Sequence, residues 1–144
     1  MKSTLDYLEA TDLELEDVDT ESLKVLLVDD SRMSRNHLRR ILESMGVEQI
    51  SEAENGVEGV KLINEHYFDL VISDYNMPKM NGQELVDYIR TNSNQPGIPI
   101  LMVTSESNQS RLAAVQKSGV SAICDKPFEP VTLKQFLERI LLES

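Results

Sequence analysis

Short aliphatic runs alternate along the chain with longer stretches in which apolar residues recur every three or four positions. The first run, Lys24 to Val28, is wholly aliphatic after its lysine. Ser31 then stands where a cap is needed, before a stretch in which Met33, Leu38, Ile41, Leu42 and Met45 fall at helical spacing, and Gly46 is placed to end it. The alternation returns four times. Gln49 to Ala53 reads as a strand and Gly56 to His66 as a helix with Val57, Val60 and Ile63 on one side. Asp69 to Ser73 reads as a third strand, followed by a loop, Asp74 to Gly82, with the Asn, Pro, Lys and Gly content of a functional connection. A helix to about Thr91 follows, with Leu85, Val86 and Ile89 inward. Beyond Pro96, Gly97 and Pro99 come a strand at Ile100 to Val103, a helix at Ser107 to Ser118 closed by Gly119, and a strand at Val120 to Cys124. The last helix runs from Val131 to Leu142 with Leu133, Phe136, Leu137, Ile140 and Leu141 apolar.

Strands that are aliphatic at nearly every residue are buried on both faces, which a parallel sheet covered by helices provides, so the class is α/β. Five βα units in about 120 residues predict a doubly wound, flavodoxin-like sheet of five parallel strands in the order 2-1-3-4-5, with five helices. The chain has 144 residues, 40% hydrophobic and 27% charged, enough to bury one core. Its longest apolar runs are four residues, against the roughly 18 a membrane span requires, so a membrane partner is not expected.

Charge is divided unevenly. Residues 1–22 hold eight acids and one base and lack the apolar stretch of an export signal, which predicts a cytoplasmic protein with an acidic N-terminal arm, or a linker to a domain fused ahead of it in a longer chain. Residues 23–144 form the predicted domain, with 17 acids against 13 bases. Neither part carries the basic stripe that would neutralise nucleic-acid phosphates, so no direct nucleic-acid partner is expected. The lone Cys124 excludes an internal disulfide.

In an open α/β sheet, ligands bind beyond the carboxyl ends of the strands. The residues that follow the apolar runs are Asp29 and Asp30, then Asp74, then Thr104, and then Lys126 with Pro127 after it. Three carboxylates, a hydroxyl and an ammonium thus meet at one edge. Two like charges 4 Å apart repel by about 4 kcal/mol at an effective dielectric of 20. A cation must offset that repulsion, and an all-oxygen donor set points to Mg2+ or Mn2+ rather than zinc.

Asp29-Asp30, Asp74 with Met77-Pro78 and Gly82 after it, Thr104, and Lys126-Pro127-Phe128 follow one another at intervals of 44, 30 and 22 residues. This series, spread over about Lys24 to Leu142, resembles the receiver domain of two-component response regulators. The resemblance implies that Asp74 accepts a phosphoryl group from a sensor histidine kinase or a phosphotransfer protein. It also implies that Asp29 and Asp30 hold Mg2+ together with the Asp74 side chain and the main-chain carbonyl of Asn76, and that Thr104 and Lys126 meet the phosphoryl oxygens. Such a protein is a switch for protein–protein interactions rather than an enzyme, catalysing only its own phosphorylation and dephosphorylation. The family also implies a cis Lys126–Pro127 bond, and it places Asn76 and Glu106 where the lifetime of the acyl phosphate is set. The chain departs from the family at Ile123, where a Tyr or Phe commonly swings inward on activation.

Two other functions compete. A Mg2+-dependent aspartyl-phosphate phosphatase would need an Asp-x-Asp-x-Thr loop and a cap insertion, and Asp29-Asp30-Ser31 does not match. A phosphorylation-independent scaffold would typically lose part of the acidic set, which is complete here. Neither G-x-G-x-x-G nor a Walker A loop is present. Arg32, Arg35, Arg39 and Arg40 read as a solvated helix face or as a kinase-docking face. His37 and His66 read as structural or exposed, and Met33, Met45, Met102 and Cys124 as packing.

Overall fold

The computed structural model describes residues 20–126 and 129–142, so the expectations for the acidic arm before Thr20 and for the Lys126–Pro127 bond lie outside the described residues. Five strands, Lys24–Val28 (β1), Gln49–Ala53 (β2), Leu70–Ser73 (β3), Ile100–Thr104 (β4) and Ala122–Asp125 (β5), alternate among the described residues with five helices, Arg32–Ser44 (α1), Gly56–Glu65 (α2), Gly82–Asn92 (α3), Gln109–Ser118 (α4) and Pro130–Leu142 (α5). The strands are all parallel in the order β2-β1-β3-β4-β5. This is the flavodoxin-like order that the pattern predicts. No helix among the described residues is long and apolar enough to cross a membrane.

The two-residue period of each strand sends alternate side chains to opposite faces. Val25, Leu27, Leu70, Ile72, Leu101 and Val103 face α1 and α5, where Leu38, Ile41, Leu42, Leu133, Phe136 and Leu137 close one core. Leu26, Val28, Val71, Ile100 and Met102 face the other way, against Ile63 of α2, Leu85, Val86 and Ile89 of α3, and Val115 of α4. Most of these side chains are fully buried, each worth roughly 1.5–3 kcal/mol relative to exposure.

Local signals fix the helix ends. The Ser31 hydroxyl caps α1, and Asn55, Asn81 and Asn108 cap the next three helices, each accepting from the backbone N–H three residues on. Gly46 and Gly119 turn the chain out of α1 and α4 at φ +95° and +105°, a region that costs other residues about 1–2 kcal/mol. α4 therefore begins after Asn108, two residues later than the periodicity places it, and β5 begins at Ala122 rather than Val120.

Three sequence expectations are corrected. Met33 is 82% exposed rather than packed, because the buried stripe of α1 runs through Arg35, Leu38, Ile41 and Leu42. Val57 is exposed as well, since α2 turns Gly56, Gly59 and Ile63 inward. The arginines of α1 do not act as one solvated or docking face: Arg35 is only 7% exposed and Arg39 is half-buried, and both reach back to the sheet. Met45 and Met102 are buried as expected, and Cys124 packs half-buried against the core.

Candidate functional site

Register assembles the site. Val28 of β1 is paired with Ser73 of β3, so the residues one step further, Asp29 and Asp74, emerge side by side. The backbone repeats the pairing, with the Asp74 N–H donating to Val28 O at 2.9 Å and the Asp29 N–H to Ala53 O at 3.1 Å. On the other side Thr104 is paired with Asp125, and the Lys126 N–H donates to Thr104 O at 3.1 Å, which anchors Lys126 to the end of β4.

Asp29, Asp74 and Lys126 have defined partners. Asp29, 2% exposed, accepts the Ser31 N–H on Oδ1 at 2.9 Å and the Lys126 ammonium on Oδ2 at 2.7 Å. Asp74 accepts the Tyr75 N–H on Oδ1 at 2.7 Å and the same ammonium on Oδ2 at 3.2 Å. Burial works against the ammonium's charge, but the hydrogen bond and charge of Asp29 and then the charge of Asp74 outweigh it, so Lys126 is held above its ordinary lysine range. The ammonium is therefore charged at neutral pH and loses its proton only above the ordinary lysine range.

The third carboxylate, Asp30, completes a trio in which one oxygen from each of Asp29, Asp30 and Asp74 lies within 4.8 Å of the others. Two ligands of an octahedral Mg2+ at about 2.1 Å stand about 3 Å apart when adjacent and about 4.2 Å when opposite. Shifts of about an ångström or less would let the three carboxylates share one ion, so the donor set fits a hard divalent cation. Asn76 follows in the loop after β3 and, with Asp30, Tyr75, Met77, Asn81 and Arg111, lines an open cleft of about 540 Å³.

Thr104 is 1% exposed, and its hydroxyl accepts the Glu106 N–H at 3.1 Å, which leaves the hydroxyl hydrogen to donate elsewhere. Glu106 pairs with Arg111 at 2.9 Å. Ile123 lies half-buried on β5 opposite Met102, packed toward the face that α2, α3 and α4 cover. Gly82 is a site residue by virtue of its missing side chain. Its N–H donates to Tyr75 O at 2.7 Å, and a Cβ there would stand 2.5 Å from Asp74 O. Any larger residue would push the start of α3 away from the loop that carries Asp74.

Glu52 and the supporting role of Arg35 escape the sequence reading. Arg35 donates from Nη1 to the backbone carbonyl of Asp29 and from Nε to Glu52 at 2.8 Å. Arg39 takes the other Glu52 oxygen with two bonds, at 3.0 and 2.8 Å. Burial raises the Glu52 pKa, but the hydrogen bonds and charges of Arg39 and Arg35 prevail and hold it below the ordinary carboxylate range. A signal for this did exist: Glu52 is the register partner of Leu27, so it points at α1, where Arg35 and Arg39 stand four residues apart on one face.

Comparison with known proteins agrees with this geometry. Residues 25–138 match the response regulator receiver domain. The chain is 38% identical over 120 residues to the chemotaxis protein CheY1 of Helicobacter pylori, which covers 83% of this chain and 97% of that protein. The structure of the chemotaxis protein CheY4 of Vibrio cholerae superposes with a TM-score of 0.74 at 36% identity, over 82% of this chain and 98% of that one. The fold is shared also, at 23% identity and a TM-score of 0.74, over 81% of this chain and 95% of that one, with the receiver domain of the sensor histidine kinase PA1611 of Pseudomonas aeruginosa, whose structure carries a magnesium ion coordinated in its active site cleft. A match across most of the chain, shared with full-length relatives of one kind, places the protein in the response regulator receiver family, as a chemotaxis-regulator-like receiver of two-component signalling.

Proposed function

We propose that the chain is a phosphorylation-controlled switch in which Asp74 accepts a phosphoryl group from a sensor histidine kinase or a phosphotransfer protein and thereby changes its affinity for an output protein. The observation that carries this reading is the single ammonium of Lys126 shared between Asp29 and Asp74, beside a third carboxylate. In the transfer, an Asp74 carboxylate oxygen forms a bond to phosphorus while the phosphorus–nitrogen bond of the phosphohistidine breaks, and the imidazole leaves with the electron pair. Such a loose transition state demands positioning and neutralisation of the phosphoryl oxygens. Lys126 is positioned to release its Asp74 contact and meet one of those oxygens, and the Thr104 hydroxyl to donate to another. Asp29, Asp30 and Asp74, with the main-chain carbonyl of Asn76, would hold Mg2+ or Mn2+, which when bound adds positive charge against the phosphoryl oxygens. Asn76, two residues after Asp74, and Glu106, two after Thr104, hold the positions that in the family influence how water reaches the acyl phosphate, so they would bear on the lifetime of the phosphorylated state.

The switching domain comprises residues 23–144, with residues 1–22 as an acidic arm or linker outside the site, and the setting is cytoplasmic. A complete acidic trio with its lysine favours this reading over a scaffold that never becomes phosphorylated. The test is incubation with Mg2+ and a small phosphodonor followed by intact-mass measurement. One phosphoryl group should be added to the wild type and none to Asp74→Asn. An unmodified wild type would favour the scaffold, and a modified Asp74→Asn would place the acceptor elsewhere.

A further inference from the structure

Beside the acidic cluster lies a second charged pair that the transfer just described does not use. The carboxylate of Glu106 is turned inward, its side chain 12% exposed, and is paired at 2.9 Å with Arg111 Nη1. The backbone of Glu106 is tied in turn to the Thr104 hydroxyl. Arg111 stands in the first turn of α4, where the Asn108 cap holds its N–H at 3.0 Å. Its side chain is 58% exposed and borders the open cleft that Asp30 and Asn76 also line. Among the six residues lining that cleft, Arg111 carries the one positive charge and Asp30 the one negative charge.

A phosphoryl donor entering this cleft is an anion, and Lys126 is already engaged with Asp29 and Asp74. Resting on the phosphoryl-transfer reading above, we propose that Arg111, which lines the cleft beside Asp30, is a specificity-determining residue for the donor, cancelling the charge of the Glu106 it pairs with and admitting small, doubly charged donors of the acyl phosphate class. With such a donor the Asp74 oxygen–phosphorus bond forms as the phosphorus–oxygen bond to the acyl group breaks, and the carboxylate departs with the electron pair. Arg111 acts on the approach rather than on those bonds. A charge at a cleft mouth raises the local concentration of an oppositely charged reactant and its on-rate, and salt screens the effect.

The experiment measures the second-order rate constant for modification by acetyl phosphate, by intact mass, at low and high salt. Arg111→Glu should lower it by about tenfold at low ionic strength, with Arg111→Gln in between, and about 0.5 M salt should shrink the loss. Arg111→Lys, which keeps the charge, should stay near the wild-type rate. Glu106→Gln added to Arg111→Gln should restore most of what the single change loses, because the unpaired carboxylate is then gone. Phosphoramidate, which carries less negative charge at neutral pH, should lose less than acetyl phosphate. A wild type that is modified normally while Arg111→Glu is equally fast, or slower by a factor that salt does not change, overturns this inference and leaves the phosphoryl-transfer reading standing. A wild type that is not modified at all removes both. Arg111 is largely exposed, and a melting temperature close to that of the wild type identifies the variants as folded.

Discussion

Replacing Lys126 by glutamine separates the two demands on this site, holding a metal and receiving a phosphoryl group, because the change should push them in opposite directions. The ammonium sits 2.7 Å from Asp29 and 3.2 Å from Asp74, the same carboxylates that a divalent ion would use. Without it, three carboxylates face one another with no cation among them. A unit charge and a divalent charge about 5 Å apart repel by about 1.7 kcal/mol at the dielectric of water and about 6.6 kcal/mol at an effective dielectric of 20. The Lys126 side chain keeps 22% exposure and Asp30 beside it is exposed, so solvent screening puts the figure toward the lower end, about 2–3 kcal/mol. Since each 1.4 kcal/mol is tenfold in an equilibrium constant, Mg2+ should bind Lys126→Gln roughly 10- to 100-fold more tightly than the wild type. Calorimetric titration at fixed ionic strength and neutral pH reads this directly.

Stability should move the other way. In the absence of metal the variant keeps a mostly buried Asp29 carboxylate without its ionic partner, which should cost about 1–3 kcal/mol and lower the melting temperature by several degrees. Saturating Mg2+ should recover more of that loss in the variant than it adds to the wild type. Phosphorylation by a small donor should nevertheless slow, because glutamine brings no charge to the phosphoryl oxygens. An Mg2+ affinity that is unchanged or weakened by Lys126→Gln would refute the argument that the ammonium and the metal compete for the same carboxylates.

Two further outcomes follow from the geometry. Glu52 is held below its ordinary pKa by Arg39 and Arg35, so its contribution to stability is present above about pH 4.5 and lost as pH falls through the lower folded value. Glu52→Gln should therefore melt earlier than the wild type at pH 6 and converge on it in strong acid, and parallel melting curves across that range would sink the assignment. Phosphorylation should change hydrogen exchange on β5 and α4 through a packing shift of Ile123, which lies half-buried opposite Met102. Unchanged exchange there would mean that this chain signals by another surface.

The fold was legible because its signals are local and repeated. Aliphatic strands, capping Ser and Asn residues and the two helix-ending glycines are each read from a few neighbouring residues, and strand ends then name the candidate ligands. What stayed hidden depends on which way a helix is turned. Met33 fits an apolar spacing, yet the stripe that α1 buries passes through Arg35, because the Asp29 carbonyl and the Glu52 carboxylate give that arginine partners on the sheet side of the helix. Val57 is displaced from the core by glycines, which let α2 lie close to β1 but leave no hydrophobic mark in the pattern. The Glu106–Arg111 pair spans a loop and a helix start, and no period relates the two residues.

The lysine also explains why a charge change at Asp74 should be felt first at one side of the sheet. Its ammonium touches Asp74 and Asp29, while its backbone N–H is bound to Thr104 O. Thr104 in turn fixes the Glu106 N–H through its hydroxyl, and Ile123 lies three residues before the lysine on β5. A phosphoryl group on Asp74 would alter what the ammonium and the Thr104 hydroxyl can bond, and these groups stand at the ends of β5 and β4. On the β1 and β2 side the equivalent carbonyl, that of Asp29, is gripped by Arg35, itself braced by Glu52 and buried. A carbonyl clamped by a guanidinium that Glu52 fixes in turn resists displacement more than strand ends tied through one lysine N–H and a loop. On the proposed function, this asymmetry should direct the conformational response to phosphorylation toward α4 and β5, where the packing of Ile123 would carry it in place of a rotating ring.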